Sequence, residues 1–248
     1  MSLAGRGVVI TRPRELADSL AGAIARRGGR PVLFPAIAIE ELPPPEVLQR
    51  VAEFQLAVFV SPSAVRVALR ALPQWPSGVA AAAIGAGTRR ELERHGVGSV
   101  IAPQSGADSE ALLAAPELAD VTGKRVLVVR GEGGRALLGN MLAARGATVD
   151  YAECYRRVRP VADEAPLIAD WQRGRIHAVT VSSAEGLDNF LAMTGSEGRG
   201  QLAGTPLFVP HPRIASHARN HGVPEVLVSG PGDDELVERL VAYFDGRT

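Results

Sequence analysis

Short apolar runs alternate along the chain with longer stretches in which apolar positions recur every three or four residues. Gly7-Val8-Val9-Ile10-Thr11 reads as a buried strand. Pro13–Arg27 reads as the helix after it, with Leu16, Leu20, Ala23 and Ile24 at helical spacing. Pro13 suits a first helical turn, where a missing N–H leaves no bond unmade, and Gly28-Gly29 suits the stop. Pro31–Ile39 is a second extended run. Leu56–Val60 with a helix after Ser61-Pro62, and Ala80–Ile84 with a helix over Thr88–His95, repeat the theme. Strands that alternate with helices predict α/β layering around a mainly parallel sheet.

The units recur in order. Gly7-Val8-Val9-Ile10-Thr11-Arg12, with its helix ending Arg26-Arg27-Gly28, is similar to Arg125-Val126-Leu127-Val128-Val129-Arg130, with its helix ending Ala144-Arg145-Gly146. Val58-Phe59-Val60-Ser61-Pro62-Ser63 is similar to Thr180-Val181-Ser182-Ser183-Ala184-Glu185. Arg94-His95-Gly96-Val97 is similar to Asn220-His221-Gly222-Val223. Two similar α/β lobes with a cleft between them are therefore expected. The cut falls near Asp120, or else the middle units form an inserted lobe. In the second case Pro35–Glu41 and Glu153–Pro160 cross between lobes.

Composition narrows the function classes. The 27 basic and 27 acidic residues among 248 give a net charge of +0, which argues against a general nucleic-acid binder. The one cysteine, Cys154, excludes an intramolecular disulfide and any cysteine-rich metal site, and fits a reducing, cytoplasmic compartment. Met-Ser-Leu-Ala-Gly-Arg-Gly at the start lacks the apolar core of a secretory signal. No apolar run approaches the ~18 residues that span a bilayer, so no membrane partner is expected. Lys124 is the sole lysine, so cationic contacts fall to arginine forks.

Motif by motif, most cofactor chemistry is disfavoured. Ile84-Gly85-Ala86-Gly87-Thr88 starts a dinucleotide fingerprint, but Arg90 stands where the third glycine belongs. Lys124 has no glycine-rich loop before it. His211, His217 and His221 are close in sequence, the last two at helical i,i+4 spacing, but a zinc enzyme wants a further ligand and a base. They read as surface or capping residues, so no metal is expected. Ser61 and Ser183 lie outside a nucleophile-elbow motif and read as helix N-caps.

Position offers more. Thr11-Arg12, Ser61, Thr88, Arg130-Gly131, Ser183 and Pro210-His211-Pro212-Arg213 all stand where a strand hands over to a helix. In parallel sheets these places share the ligand edge, and helix N-termini there favour anions. A ligand with many carboxylates fits. Tyr155 lies beside Arg156, Arg157 and Arg159, which favour its phenolate and suit it to act as a general acid.

These segments resemble the uroporphyrinogen-III synthase family over essentially the whole chain. Val9-Ile10-Thr11-Arg12-Pro13 is similar to the family's opening strand and turn, and Phe59-Val60-Ser61-Pro62-Ser63-Ala64-Val65 to its F-T-S-x-x-A-V segment. Ala83-Ile84-Gly85-Ala86-Gly87-Thr88 resembles a third motif, and Pro206–Ala215 a bacterial form of the last. The last motif departs from the family's usual G-P/x-T-T, reading His211-Pro212-Arg213-Ile214. Ala184 also replaces a common proline.

The resemblance implies two flavodoxin-like, three-layer α/β lobes with parallel sheets, joined by a two-stranded connector across a cleft. It selects residues 1–39 plus 154–248 as the first lobe and 40–153 as the inserted one. It implies a cofactor-free enzyme that cyclises hydroxymethylbilane, a linear tetrapyrrole with eight carboxylates, to uroporphyrinogen III. Tyr155 matches the linker tyrosine and becomes the candidate proton donor to the leaving hydroxyl. Arg12, Ser61, Ser63, Thr88, Arg130, Gly131, Ser183, Pro212 and Arg213 become candidate substrate contacts. The preceding pathway enzyme is an expected transient partner. A two-lobed binder of an anionic small molecule, without turnover, is the competing expectation.

Overall fold

The computed structural model describes residues 2–106 and 108–246. The chain divides into two compact units, Met1–Ala38 with Val158–Thr248, and Ile39–Arg157. Each has a mainly parallel sheet with apolar clusters on both faces.

Unit 1 contains β1 (Gly7–Ile10), α1 (Arg14–Arg26) and β2 (Arg30–Leu33). It is completed by α6 (Ala165–Gln172), β9 (Ile176–Thr180), α7 (Ala184–Leu202), β10 (Leu207–Val209), α8 (Pro212–Asn220), β11 (Val226–Val228) and α9 (Asp233–Asp245). The sheet order β2-β1-β9-β10-β11 is the flavodoxin order, first strand inside and second at the edge. The pairings β1–β2, β1–β9, β9–β10 and β10–β11 are all parallel. Strand alternation sends Val9 and Val179 to one face, under α6, α7 and α8, where Trp171, Phe190 and Ile214 close the layer. It sends Val8, Ile10 and Ala178 to the other, under Leu20 and Ile24 of α1 and Leu240 of α9. Burying each such side chain is worth about 1.5–3 kcal/mol.

Unit 2 contains β3 (Ala38–Glu41), β4 (Leu56–Phe59), α2 (Pro62–Arg70), β5 (Ala80–Ala83), α3 (Ala86–Arg94) and β6 (Val100–Ile101). It continues with α4 (Ser109–Leu113), β7 (Arg125–Gly131), α5 (Leu137–Ala144) and β8 (Thr148–Val158). The order β6-β5-β4-β7-β8-β3 is the other doubly wound arrangement, with β3 added at one edge. Phe59, Leu127 and Val129 pack with α2 and α3 on one face. Leu56, Val58 and Val128 pack with α4 and α5 on the other. β3 and β8, by which the chain enters and leaves this unit, are neighbours in its sheet.

Two local expectations shift. The run Pro31–Ile39 divides into β2 and β3, which belong to different sheets. Pro35 lies in the gap and has no N–H to continue a ladder. The third helix begins at Ala86 with Gly85 as its cap, so Thr88 is inside the first turn and not at its entrance. Among the described residues no helix is long and apolar enough to cross a membrane.

Candidate functional site

In unit 2 the sheet winds outward in both directions from β4 and β7. Their carboxyl ends form the switch point at which doubly wound sheets receive ligands. Ser61 follows β4 and Gly131 ends β7. Ser61 caps α2: its backbone is extended, and Oγ accepts from the Ala64 N–H at 3.0 Å. The same oxygen lies 2.9 Å from the phenolic oxygen of Tyr155.

A β-bulge puts Tyr155 there. Arg130 stands opposite Glu153, but the next residue, Gly131, stands opposite Tyr155. The extra residue breaks the alternation of β8, so Ala152, Cys154 and Tyr155 are all buried in the cluster under α2 and α3. Gly131 leaves the space. A methyl group on it would fall 2.7 Å from the Tyr155 ring. Burial also pushes the adjacent Cys154 thiol up to about 12, so it stays protonated and unreactive.

This corrects the expected environment of Tyr155. The residue is 2 % exposed, so the phenol does not stand open to a ligand. Arg156 is exposed and turned to Glu40, whose carboxyl it holds below the usual carboxylate range by a side-chain hydrogen bond. Ser61 is the half-buried member of the pair. A hydroxyl has one proton and two lone pairs. Ala64 N–H occupies one lone pair, and either hydroxyl can donate across the 2.9 Å contact; when the phenol donates, the Ser61 proton is free to point outward.

The remaining unit 2 candidates differ in availability. Arg130 donates to Glu153 Oε1 from Nε at 3.1 Å and from Nη2 at 2.9 Å, and to the Gly134 carbonyl at 3.0 Å. Its guanidinium also lies 4.1 Å from the centre of the Tyr151 ring. Its charge is matched, so it shapes the edge more than it attracts an anion. Ser63 and Thr88 are both buried, in the first turns of α2 and α3.

In unit 1 the candidates collect at the corresponding edge. Ser183 caps α7, accepting from the Gly186 N–H at 3.0 Å. Arg12 is paired with Asp233 of α9, so this cation too is already neutralised. Arg12 lines a shallow hollow with Thr180, Ser182, Pro210, Ser229 and Gly230, at the ends of β1, β9, β10 and β11. Pro212 opens α8 after His211, which caps without a side-chain bond. Arg213 is exposed and has no ion pair among the described residues. Sequence reasoning missed Ser182, Ser229, Asp233 and Glu153. The first two stand just past strand ends, a signal present at Ser182; the two acids carry no local sign.

Each unit is thus a doubly wound α/β domain that gathers hydroxyls, arginines and helix N-termini at the carboxyl edge of its sheet, the class of protein that binds and transforms small polar molecules. Residues 18–238 match the family described as Uroporphyrinogen-III synthase HemD. A uroporphyrinogen-III synthase of Escherichia coli K12 is 32% identical over 243 residues, covering 94% of this chain and 99% of that one. One from Salmonella typhimurium LT2 is 33% identical over the same shares. Among solved structures, the uroporphyrinogen-III synthetase of Helicobacter pylori 26695 has a TM-score of 0.66 at 15% identity, covering 96% and 99% of the two chains. A mutant uroporphyrinogen III synthase of Thermus thermophilus has a TM-score of 0.59 at 20% identity, covering 97% and 98%. The two structural likenesses establish the fold. The chain belongs to the uroporphyrinogen-III synthase family.

Proposed function

We propose that the chain converts hydroxymethylbilane to uroporphyrinogen III, with loss of water and inversion of ring D, and that the Ser61–Tyr155 pair moves the proton. Ser61 donates to the terminal hydroxyl of the bilane as that C–O bond breaks. Tyr155 hands its own proton to Ser61 Oγ, 2.9 Å away. Water leaves, and the terminal pyrrole becomes an electron-poor azafulvene. Ring D attacks it through its substituted carbon to give a spiro intermediate, which fragments and recloses with the ring inverted. The proton shed on closure restores the phenol. No step needs a cofactor.

Tyr155 is in this scheme a positioning and relay residue; Ser61 touches the substrate. On unit 2 a substrate carboxylate falls to the N-terminus of α3 at Gly85, which no side chain caps; unit 1 by itself offers the same chemistry at the N-terminus of α8, at His211, and at the exposed Arg213. Each carboxylate at a helix end contributes about 0.3–1 kcal/mol, so several together bind firmly with no one contact essential. The enzyme's main task is steering among closures, a matter of positioning. The reading places it in the cytoplasm, taking the bilane from the enzyme that makes it through a transient contact.

The observation that carries the proton path is the buried phenol against a half-exposed serine at the unit 2 switch point. A coupled assay tests the function: hydroxymethylbilane generated in situ, the protein added without cofactor, and the oxidised uroporphyrin isomers separated by chromatography. Predominant isomer III is expected. Isomer I alone, from folded protein, would leave a binder without turnover. Tyr155→Phe is expected to lower kcat by about 100-fold, the low end of general acid catalysis, with KM unchanged. Unchanged kcat would remove the relay.

A further inference from the structure

The face of unit 1 where α7 meets α8 carries a second constellation. Nε2 of His217 lies 2.8 Å, and Nε2 of His221 2.9 Å, from the same oxygen, Oδ1 of Asp188. The two imidazole centres are 4.7 Å apart, and the three ligand atoms lie within 4.8 Å of one another. The sequence supplied the i,i+4 histidines but no third donor. The fold brings it from α7, 29 positions before His217.

The internal repeat provides a comparison within the same chain. Asp188 stands at the offset from Ser183 that Arg66 has from Ser61, and His217 and His221 answer to Glu91 and His95. In unit 2 these positions hold a guanidinium and a carboxylate, with Arg66 Nε 3.3 Å from Glu91 Oε1 and Arg94 Nη1 3.1 Å from Glu91 Oε2. Cations fill that cluster. In unit 1 the signs are rearranged: the carboxylate is on the first helix, two imidazoles are on the second, and Asp188 pairs with those imidazoles. The unit 2 version is a closed salt bridge, whereas the unit 1 version is a set of three convergent donors.

We propose that Asp188, His217 and His221 form a surface site for a divalent transition-metal ion of the zinc type, with water completing its coordination. Two neutral imidazole nitrogens and one carboxylate oxygen are the donor types such ions take, at about 2.0–2.2 Å from the metal. Around a tetrahedral ion at those lengths the donors stand about 3.3 Å apart, so the two imidazole–carboxylate contacts of 2.8 and 2.9 Å need to open by about half an ångström, and the imidazole nitrogens, within 4.8 Å of each other, to settle at the same spacing. Their side chains are 48%, 33% and 35% exposed, which leaves them free to do so. The ion would replace the imidazole–carboxylate hydrogen bonds and clamp α7 to α8. It takes no part in the cyclisation.

The test uses the untagged full chain, stripped with a chelator and titrated with zinc in a calorimeter. One ion per chain is expected, with a melting temperature that rises with excess zinc. His217→Ala, His221→Ala and Asp188→Asn should each weaken binding by more than about 10-fold, the least that loss of even a metal's hydrogen-bonded outer partner costs. His95→Ala, at the unit 2 counterpart, should bind as the parent does. Circular dichroism confirms that each variant is folded. Absence of one-to-one binding in the parent overturns the site, as does undiminished binding in the double histidine variant. Equal binding by Asp188→Asn overturns the three-donor form.

Discussion

The Ser61 oxygen serves two structural partners, and their energetics can be separated. Removing the hydroxyl in Ser61→Ala deletes a helix cap, worth about 1 kcal/mol, and strands the buried Tyr155 phenol, at about 1–3 kcal/mol more. Tyr155→Phe removes one hydrogen bond but leaves the cap, at about 0.5–1.5 kcal/mol. Chemical denaturation should therefore rank Ser61→Ala as the more damaging. The double variant should fall short of the sum, because no phenol remains to be stranded. Strict additivity would mean that the two hydroxyls do not interact. The caps themselves were legible in the sequence, because Ser61 and Ser183 each bond a backbone N–H three residues on. The burial of Tyr155 was not: it depends on a bulge whose partner, Gly131, is on another strand. Nor was the neutralisation of Arg12, whose acid lies 221 residues away.

Among the elements, the β1–β9 pairing contains a titratable weak point. The register slips between Gly7 and Val8, and His177 fills the irregularity by accepting the Gly7 N–H on Nδ1 at 3.0 Å. That bond needs an unprotonated nitrogen. Burial first, then the charge of Arg6, lowers the His177 pKa from its ordinary 6.5. The unfolded chain therefore binds the proton more readily, so this contribution is full above about pH 6.5 and is lost as pH falls through the lowered folded value. Denaturant midpoints should drop between pH 7.5 and pH 5 in the parent, and drop less in His177→Gln. An equal drop in both would assign the acid sensitivity elsewhere. The alternation of strands and helices was readable because it is a local periodicity. The slip was not, since the strands that make it, Gly7–Ile10 and Ile176–Thr180, meet only through the fold. The same holds for the division of Pro31–Ile39: the proline was visible, but which sheet each half joins is a long-range fact.

For the whole molecule, the insertion makes the two units unequal. Residues 39–157 are contiguous and contain clusters on both faces of their own sheet. Expressed alone, they should unfold in one cooperative transition. Residues 158–248 alone should not, because they lack β1, the strand between β2 and β9. Val8, Val9 and Ile10 are each 0 % exposed, so losing them forfeits about 5–9 kcal/mol. That is comparable with the entire stability of a domain. A cooperative 158–248 fragment, or a molten 39–157 fragment, would contradict this division.

The neighbouring strands β3 and β8 have a mechanical consequence. Tension applied along the backbone runs through unit 1, and the backbone enters and leaves unit 2 at these adjacent strands. While unit 1 holds, a load that stretches it does not pull the inserted unit's ends apart, because they are already side by side. Under force, or under an unfoldase that threads from either terminus, β1 and the C-terminal helices give way first. The unit carrying Ser61 and Tyr155 is mechanically shielded, the last part of the protein to feel the pull.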